Sequence, residues 1–251
     1  MSHLKIELEN ITFAYLAGTP VIDDLSLSIE QGESVGIIGA NGAGKSTLLQ
    51  LLLGLLVPQQ GRIVIGHTPL TPKTLPWVRE RIGLVFQDPD DQLFMPTIAE
   101  DVAFGPRNRG LDEVTVDQLV KTALETVGIS ELADRPPYKL SGGEKKAASL
   151  ATVLAMEPDV LVLDEPTASL DPRARRKVLN LLKQFEHTRL ITSHDLDLIL
   201  DVCDRTIVLQ DGKVLADGPS NQILTDEKLM LAAGLELPMR LQGASHLTQD
   251  S

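Results

Sequence analysis

A glycine-rich loop ending in Lys-Ser-Thr is the stretch of this sequence whose residue types and spacing most directly indicate chemistry. Residues 39–47 read Gly-Ala-Asn-Gly-Ala-Gly-Lys-Ser-Thr and match the pattern G-x-x-x-x-G-K-[S/T]. A strand is predicted before the loop and a helix after it, which is the context that the pattern requires. The glycines let backbone amides turn towards an anion, and the amino end of the helix adds partial positive charge. The sequence therefore predicts a phosphate-binding loop.

Two side chains of this loop have predicted roles with a nucleotide. Lys45 is expected to reach the β- and γ-phosphates, and Ser46 to ligate Mg²⁺. An ordinary glycine-rich turn is the alternative, but no packing requirement explains Lys-Ser-Thr at this offset. The predicted nucleotide-binding residues of the loop are Gly39, Ala40, Asn41, Gly42, Ala43, Gly44, Lys45, Ser46 and Thr47.

Two adjacent carboxylates follow the apolar run 160–163. A buried parallel strand would deliver them at its carboxyl end, where α/β sheets bind ligands. We expect Asp164 to belong to the Mg²⁺ shell and Glu165 to orient the water that attacks the γ-phosphorus. Adjacent acids at a strand end are often only a cap or a turn, but the phosphate loop favours the catalytic interpretation. His194 is a candidate to hydrogen-bond the γ-phosphate, although a lone histidine is more often structural.

A third chemical feature is a serine with two glycines, Ser141, Gly142 and Gly143, immediately before a run of good helix formers. The first amides of a helix lack intrahelical partners and can bind an anion. Glycines without a Cβ atom would let a ligand approach closely. The pattern predicts a second anion site, with a simple glycine cap as the alternative.

The elements that must position these residues can be predicted from hydrophobic periodicity and turn residues. Strands are predicted at 5–8, 11–15, 25–29, 34–38, 62–65, 82–86, 160–163, 189–192, 205–209 and 213–215, the last two as a hairpin across 210–212. Helices are predicted at 46–55, 114–127, 143–156, 172–185 and 196–202. The alternation after residue 157 indicates parallel βαβ units, and the strand-poor stretch 88–156 indicates an inserted helical lobe.

Composition narrows the functional classes. A net charge of −12 argues against sequence-independent binding of nucleic acid. A single cysteine, Cys203, and the lack of a leader-like opening favour a reducing cytosol. Apolar stretches such as 48–57 fall short of the about 20 residues that span a bilayer, so we expect any membrane role to be peripheral.

Taken together, the motifs resemble those of the ATP-binding cassette (ABC) ATPases, in that family's order. Residues 140–144, Leu-Ser-Gly-Gly-Glu, are similar to its signature motif. Gln87 resembles the glutamine that contacts Mg²⁺ and the attacking water, and His194 the switch histidine. Asp171 lies in a stretch similar to the D-loop, and Tyr15 stands where an aromatic residue stacks on adenine. The resemblance extends over about residues 4–225.

This resemblance implies a fold class, namely an α/β P-loop NTPase core with a mixed sheet, an antiparallel β subdomain and an inserted α-helical subdomain. It implies an ABC ATPase domain at 1–238, with the core and β subdomain at 1–87 and 157–225 and the helical subdomain at about 88–156. The end, 239–251, is expected to be a polar tail. ATP and Mg²⁺ are the implied cofactors.

The resemblance also implies roles and a dimer. The implied catalytic residues are Glu165, His194 and Gln87, and the implied metal ligands are Ser46, Gln87 and Asp164. In the family, the signature of one subunit covers the nucleotide of the other, so Ser141, Gly142, Gly143 and Asp171 would act across a dimer interface. A homodimer is expected, although a similar partner would also serve.

The signature departs from the family at one position, because Glu144 stands where glutamine is most common. A carboxylate near a triphosphate is unfavourable unless it turns away. Lys145 and Lys146 are expected to offset its charge, with modest consequences.

The region after Gln87 indicates which process the hydrolysis of ATP drives. Residues 86–106 and 232–238 resemble energy-coupling-factor importers, especially the ATPase subunits of cobalt and nickel uptake systems. The resemblance implies a membrane coupling subunit and a substrate-binding membrane subunit as partners, at the cytoplasmic face of the membrane. Phe94, Met95 and Ile98 are candidate contacts with a short helix of the coupling subunit, with core packing as an equal alternative.

Two other functional classes stay open. A vitamin importer or another ABC transporter would carry the same cassette, and the sequence does not disclose the solute. A soluble ATPase of DNA maintenance, translation or cluster assembly is the alternative of another class. The acidic charge, the single cassette and the lack of a coiled-coil insertion or cysteine cluster argue against it.

Overall fold

The computed structural model describes residues 4–16 and 18–242. The strands are β1 (Ile6–Phe13), β2 (Ile22–Ile29), β3 (Ser34–Ile38), β4 (Gln60–Ile65), β5 (Thr68–Pro69), β6 (Ile82–Val85), β7 (Val160–Asp164), β8 (Thr188–Thr192), β9 (Arg205–Gln210) and β10 (Lys213–Pro219). The helices are α1 (Lys45–Leu52), α2 (Leu75–Arg81), α3 (Ile98–Asn108), α4 (Glu113–Val127), α5 (Gly142–Leu154), α6 (Pro172–Gln184), α7 (Leu196–Val202), α8 (Ser220–Ile223), α9 (Glu227–Ala232) and α10 (Met239–Gln242). Within these described ranges, no helix combines the length and apolarity needed to cross a membrane.

The chain divides into two units. One comprises the chain up to Arg79 together with the part from His187 onward, and the other is Glu80–Glu186. The helical stretch predicted at 88–156 lies within the second unit, which also contains β6, β7 and α6.

An antiparallel sheet of the first unit has the strand order β2-β1-β4-β5. Buried positions alternate with more exposed ones along β1 and β2, which is typical of a sheet with one face on a core. The prediction of separate strands at 5–8 and 11–15 is wrong, because β1 is continuous. Its register shifts between Leu8 and Ile11, where Asn10 adopts a left-handed φ of 49°. This bulge interrupts the alternation of buried and exposed residues, so the sequence pattern indicates two strands where the structure has one.

A mixed sheet in the same unit positions the phosphate loop. Strands β9, β3 and β8 are parallel neighbours, and β10 pairs antiparallel with β9. All five residues of β3 are buried, as expected for a central parallel strand. The predicted hairpin is confirmed by the pairing of Lys213 with Gln210, although β10 continues to Pro219.

The second unit combines the parallel pair β6 and β7 with helices α3 to α6. Helices α3, α4 and α5 enclose an apolar core that includes Leu93, Ile98, Val102, Leu124, Leu140 and Ala151. The predicted helices at 114–127 and 143–156 are confirmed within two residues. Asp112 caps α4 by accepting from the Thr115 amide at 3.1 Å, and Gly128, with a φ of 69°, ends it.

The first four residues of the predicted polar tail, 239–242, form the short helix α10. The Arg240 Nε atom donates to Asp197 Oδ1 at 2.6 Å, and its Nη2 atom lies 3.0 Å from Asp201 Oδ2. The amide of Met239 also donates to Asp197. Composition alone did not show that α7 offers two carboxylates to this segment. The remaining tail, 243–251, lies outside the described residues.

Candidate nucleotide-binding site

The phosphate loop joins the end of β3 to the start of α1, as predicted. Glycine is required at position 39 because the backbone of Leu209 lies very close. A Cβ atom at this position would be 2.3 Å from the Leu209 carbonyl oxygen. Gly44 precedes α1 with a φ of 102°, a conformation that side-chain-bearing residues rarely adopt. The loop residues therefore hold a backbone shape that other residue types would disturb.

Lys45 folds back over the loop that precedes it. Its side chain is buried, and Nζ donates to the carbonyl oxygens of Gly39, at 2.7 Å, and Ala40, at 3.2 Å. The same nitrogen lies 3.4 Å from Nε2 of His194. Lys45 and His194 are 149 positions apart in the sequence, and the fold brings their side chains together beside the loop. An anion bound by the loop would meet both side chains.

The start of α1 fits an anionic ligand. No side chain caps its amino end, and its first turn contains no acidic residue. The first amides and the positive end of the helix are thereby available to phosphate oxygens. Ser46 is exposed at this end, so its hydroxyl group is accessible to a metal ion bound by the phosphates.

Tyr15 and Thr47 are linked beside the loop. The Tyr15 hydroxyl lies 3.0 Å from Thr47 Oγ1, and the Tyr15 ring meets Phe13 edge to face at 5.1 Å between centroids. More than half of the Tyr15 surface, 57%, is exposed. The hydroxyl contact fixes one end of an aromatic ring that stays largely exposed.

The two carboxylates lie at the carboxyl end of β7, as predicted. Four buried residues precede Asp164 in this strand. Glu165 is 9% exposed and has a left-handed φ of 46°. Non-glycine residues adopt this conformation at a cost, and such residues cluster at functional sites. The backbone turns sharply at the residue predicted to act on water.

Ser141 and Glu144 form a capping box at the start of α5. Glu144 Oε2 accepts hydrogen bonds from the Ser141 amide and hydroxyl, each at 2.7 Å, and Ser141 Oγ accepts from the Glu144 amide at 3.4 Å. These bonds lower the pKa of Glu144 below its ordinary value. The spacing S-x-x-E is a known capping signature, so the sequence contained the signal that would have predicted this contact.

The expectation that Lys145 and Lys146 offset the Glu144 charge is wrong. Lys145 Nζ pairs with Asp90 Oδ1 at 2.6 Å. Lys146 points into the unit, where Nζ donates to backbone carbonyl oxygens of Phe86 and Gln87. Helix geometry directs neighbouring residues to different faces, which separates these lysines from Glu144.

The glycines of the signature have different surroundings. A Cβ atom at Gly142 would meet open space, so this position leaves room for a ligand. A Cβ atom at Gly143 would lie 2.6 Å from the Ala174 Cβ atom, so α6 already requires glycine there. Asp171 caps α6 by accepting from the amides of Arg173 and Ala174, at 2.8 and 3.0 Å. These bonds lower the Asp171 pKa.

An exposed aromatic pair follows the segment that carries Gln87. The rings of Phe94 and Phe104 meet edge to face at 5.0 Å, and they are 63% and 41% exposed. Asp101 Oδ1 holds the loop by accepting from the amides of Phe94 and Met95, both at 3.0 Å, and burial raises the pKa of Asp101. Of the two interpretations of Ile98, core packing is confirmed, because this residue is 0% exposed and belongs to the helical core.

The candidate residues are divided between the two units. The first unit contains Tyr15, the loop 39–47 and His194, and the second contains Gln87, Ser141, Gly142, Gly143, Asp164, Glu165 and Asp171. Within the second unit, Gln87 and Gly142 line one cavity of about 330 Å³. Ser141, Gly143 and Asp171 line another of about 570 Å³. Among the described residues, no group of three or more His, Cys, Asp or Glu side chains is placed to hold a metal ion.

Comparisons with known proteins identify the family of this chain. The family model described as ABC transporter matches residues 22–168. A relative from Geobacter sulfurreducens, named as an ABC transporter ATP-binding protein, is 53% identical over 97% of this chain and 98% of its own. The energy-coupling factor transporter ATP-binding protein EcfA of Methanocaldococcus jannaschii is 43% identical over 93% of this chain and 85% of its own.

A solved structure is similar over almost the whole chain. CbiO1 of Clostridium perfringens, described as part of the ABC transporter complex CbiONQ, has a TM-score of 0.83 and 36% identity, covering 99% of this chain and 100% of its own. An ATP-binding cassette solved as a dimer in a post-hydrolysis state, with ADP and Pi bound, has a TM-score of 0.75 and 27% identity over 86% of this chain and 98% of its own.

The chain therefore belongs to the ABC transporter family. It is an ABC ATPase, which binds ATP and hydrolyses it for transport. The predicted fold class and the resemblance to energy-coupling-factor ATPases are confirmed.

Proposed function

We propose that this chain is the ATP-hydrolysing subunit of an energy-coupling-factor importer that takes up cobalt or nickel. The likeness to CbiO1, at a TM-score of 0.83 over 99% of this chain, is the observation that carries the proposal. The 43% identity to EcfA supports the importer class. The solute itself would be recognised by a membrane partner.

In this proposal, the first unit holds the triphosphate. Lys45 and the uncapped start of α1 bind the β- and γ-phosphates, and His194 hydrogen-bonds the γ-phosphate. The distance of 3.4 Å between Lys45 Nζ and His194 Nε2 supports a shared ligand for these groups. Tyr15 stacks on adenine through its exposed ring face.

The second unit supplies the groups that act on water and metal. Glu165 orients the attacking water, and its position at a sharp turn after β7 supports this role. Asp164 and Gln87 of this unit are proposed Mg²⁺ ligands, directly or through water, and Ser46 of the first unit is the third. Bound Mg²⁺ would neutralise charge that develops on the phosphates.

A dimer completes the site in this proposal. Ser141, Gly142 and Gly143 of one chain contact the triphosphate bound by its neighbour, and Asp171 links the two sites. The open space beside Gly142 supports close approach of a ligand. A second copy of this chain is the proposed partner. ATP would close the pair, and loss of the bridging phosphate would release it.

The exposed pair Phe94 and Phe104 is the proposed docking point for a short cytosolic helix of the membrane coupling subunit. An apolar pair of this kind is suited to the apolar face of a helix. Asp101 keeps the Phe94 backbone in place. This assignment places the chain peripherally, at the cytoplasmic face of the membrane.

Uptake by cells tests the proposal. Cells that express this chain with its native membrane partners should accumulate cobalt or nickel, and Glu165→Gln should abolish the accumulation. Phe94→Glu should prevent the membrane subunits from co-purifying while ATP binding by the purified chain is unchanged. Uptake of neither metal, with normal assembly, would contradict the metal assignment.

A vitamin importer is the second candidate, because EcfA is named only by its transporter type. Uptake of a labelled vitamin, instead of metal, by the same cells would favour it. A soluble ATPase is the candidate of another class. Failure of this chain to co-purify with any membrane subunit from detergent extracts would favour that class.

A further inference from the structure

Lys146 has a buried ammonium group that the proposed ATP chemistry does not use. Its side chain is 1% exposed, and Nζ donates to the carbonyl oxygens of Phe86, at 2.8 Å, and Gln87, at 2.9 Å. Burial lowers the pKa of Lys146 to about 8, and nearby carboxylates, with Asp164 first, oppose this lowering. Burying an ammonium group is unfavourable unless partners compensate. Because burying this ammonium group costs free energy, we expect Lys146 to have a specific role.

The two acceptors of Lys146 flank one residue. The Phe86 carbonyl belongs to the peptide plane before the Gln87 Cα atom, and the Gln87 carbonyl belongs to the plane after it. Because peptide groups are planar, fixing both carbonyls restricts φ and ψ of Gln87. Restricting both angles fixes the direction in which the Gln87 side chain leaves the backbone.

Other contacts attach the rest of this segment to α5. Lys145 pairs with Asp90, and Gln92 Nε2 donates to the Ser149 carbonyl at 2.9 Å and to Thr152 Oγ1 at 2.7 Å. These bonds hold the segment beyond Gln87, whereas the Lys146 bonds lie on either side of it. Lys146 also lines the 330 Å³ cavity together with Gln87 and Gly142.

We propose that Lys146 is a positioning residue of the ATP site, which holds both peptide planes around Gln87 against the helix that begins with the signature glycines. A shift of α5 would thereby change the direction of Gln87. Lys146 does not touch the nucleotide, since its nitrogen is committed to two carbonyls in the interior of the unit. The inference depends on the proposed Mg²⁺ role of Gln87.

The test uses Lys146→Met in the full chain, with Lys145→Met as the matched control. Methionine fills similar apolar space without the ammonium group. Loss of the donor to two carbonyl oxygens lowers stability, whereas removal of a buried charge raises it, so the two effects oppose each other and the melting temperature should change little. The kcat for ATP should nevertheless fall by about tenfold to a hundredfold, as small misplacements of reacting groups do. The Mg²⁺ concentration for half-maximal activity should rise, and KM for ATP should not. Lys145→Met should leave these values near those of the wild type.

A double-mutant cycle tests whether Lys146 affects kcat through Gln87. If Lys146 acts through Gln87, Lys146→Met should cause no further loss of kcat in a Gln87→Ala chain. Additive losses would overturn the inference, as would wild-type kcat in Lys146→Met. A parallel fall in melting temperature and activity would also overturn it, by indicating a general structural role.

The same cycle separates failure of this inference from failure of the proposed function. Wild-type activity of Gln87→Ala would remove the role of Gln87 on which the inference and the proposed site both depend. An impaired Gln87→Ala beside a normal Lys146→Met would overturn the positioning role alone.

Discussion

The Glu144 carboxylate accepts two hydrogen bonds from Ser141, from its amide and from its hydroxyl, each at 2.7 Å. The carboxylate therefore lies directly at the amino end of α5, where it partly cancels the positive helix end that would attract a phosphate. The family's more common glutamine could make the same cap without the charge. If the signature contacts a triphosphate, as proposed, the Glu144 carboxylate opposes that contact electrostatically.

Glu144→Gln should strengthen ATP-dependent dimer formation. Removing one like charge near the triphosphate corresponds to about 1 kcal/mol in water, or about fivefold in the ATP concentration that gives half-maximal hydrolysis at low salt. Gel filtration and ATPase titrations at two salt concentrations measure this. The difference from wild type should shrink at high salt, and a weaker dimer in the variant would contradict the electrostatic explanation.

Glu165→Gln should abolish steady-state hydrolysis while ATP binding persists, because the variant loses only the group that is proposed to orient water. ATP should then trap the chain as a dimer. Gel filtration with ATP measures the oligomeric state, and a monomer under these conditions would contradict the prediction.

Lys45→Ala should weaken ATP binding itself, by more than about tenfold, because the loop loses its buried ammonium group. Equilibrium titration with a fluorescent ATP analogue measures the affinity. Lys213→Ala, which removes an exposed lysine paired with Asp23, is the control and should bind normally. Unchanged affinity in Lys45→Ala would show that the phosphate loop is misassigned.

Ser141→Arg should block hydrolysis and leave ATP binding by the isolated chain nearly intact, since the proposed role of the exposed Ser141 is to contact the nucleotide bound by the neighbouring chain. Mixed with a Glu165→Gln chain, it should form a dimer with one complete site. Tags of different size would reveal the mixed dimer on gel filtration. Its absence would argue against a site shared between chains.

Cys203 should resist thiol reagents in the folded chain. Burial raises its pKa to about 12, so the reactive thiolate is scarce at pH 8. As pH rises from about 9 towards 12, the unfolded chain loses the thiol proton before the folded chain does, and this group then lowers stability. Labelling with a chromogenic disulfide should be slow until denaturant is added. Fast labelling at pH 8 without denaturant would contradict the burial.

Helix α2 and the C-terminal helices show where sequence patterns carry too little information to predict a helix. The seven residues of α2 contain one buried position, Val78, so no periodic stripe marks them. Helices α8 to α10 are four to six residues long, below the length at which a period is recognisable. Arg240 finds its partners 39 and 43 positions earlier in the chain, a pairing that local composition does not contain.

The sequence by itself determined the ATPase class, the phosphate loop, the strand-end carboxylates and the main strands and helices. These features depend on residues close together in the chain, where spacing translates directly into local geometry. The tertiary structure alone decided that Lys146 turns inward to carbonyls 59 and 60 positions away, and that Gly143 is needed by Ala174 of α6. Such contacts form when distant segments pack against each other. The local sequence around a lysine or a glycine therefore does not show whether that residue is exposed or buried.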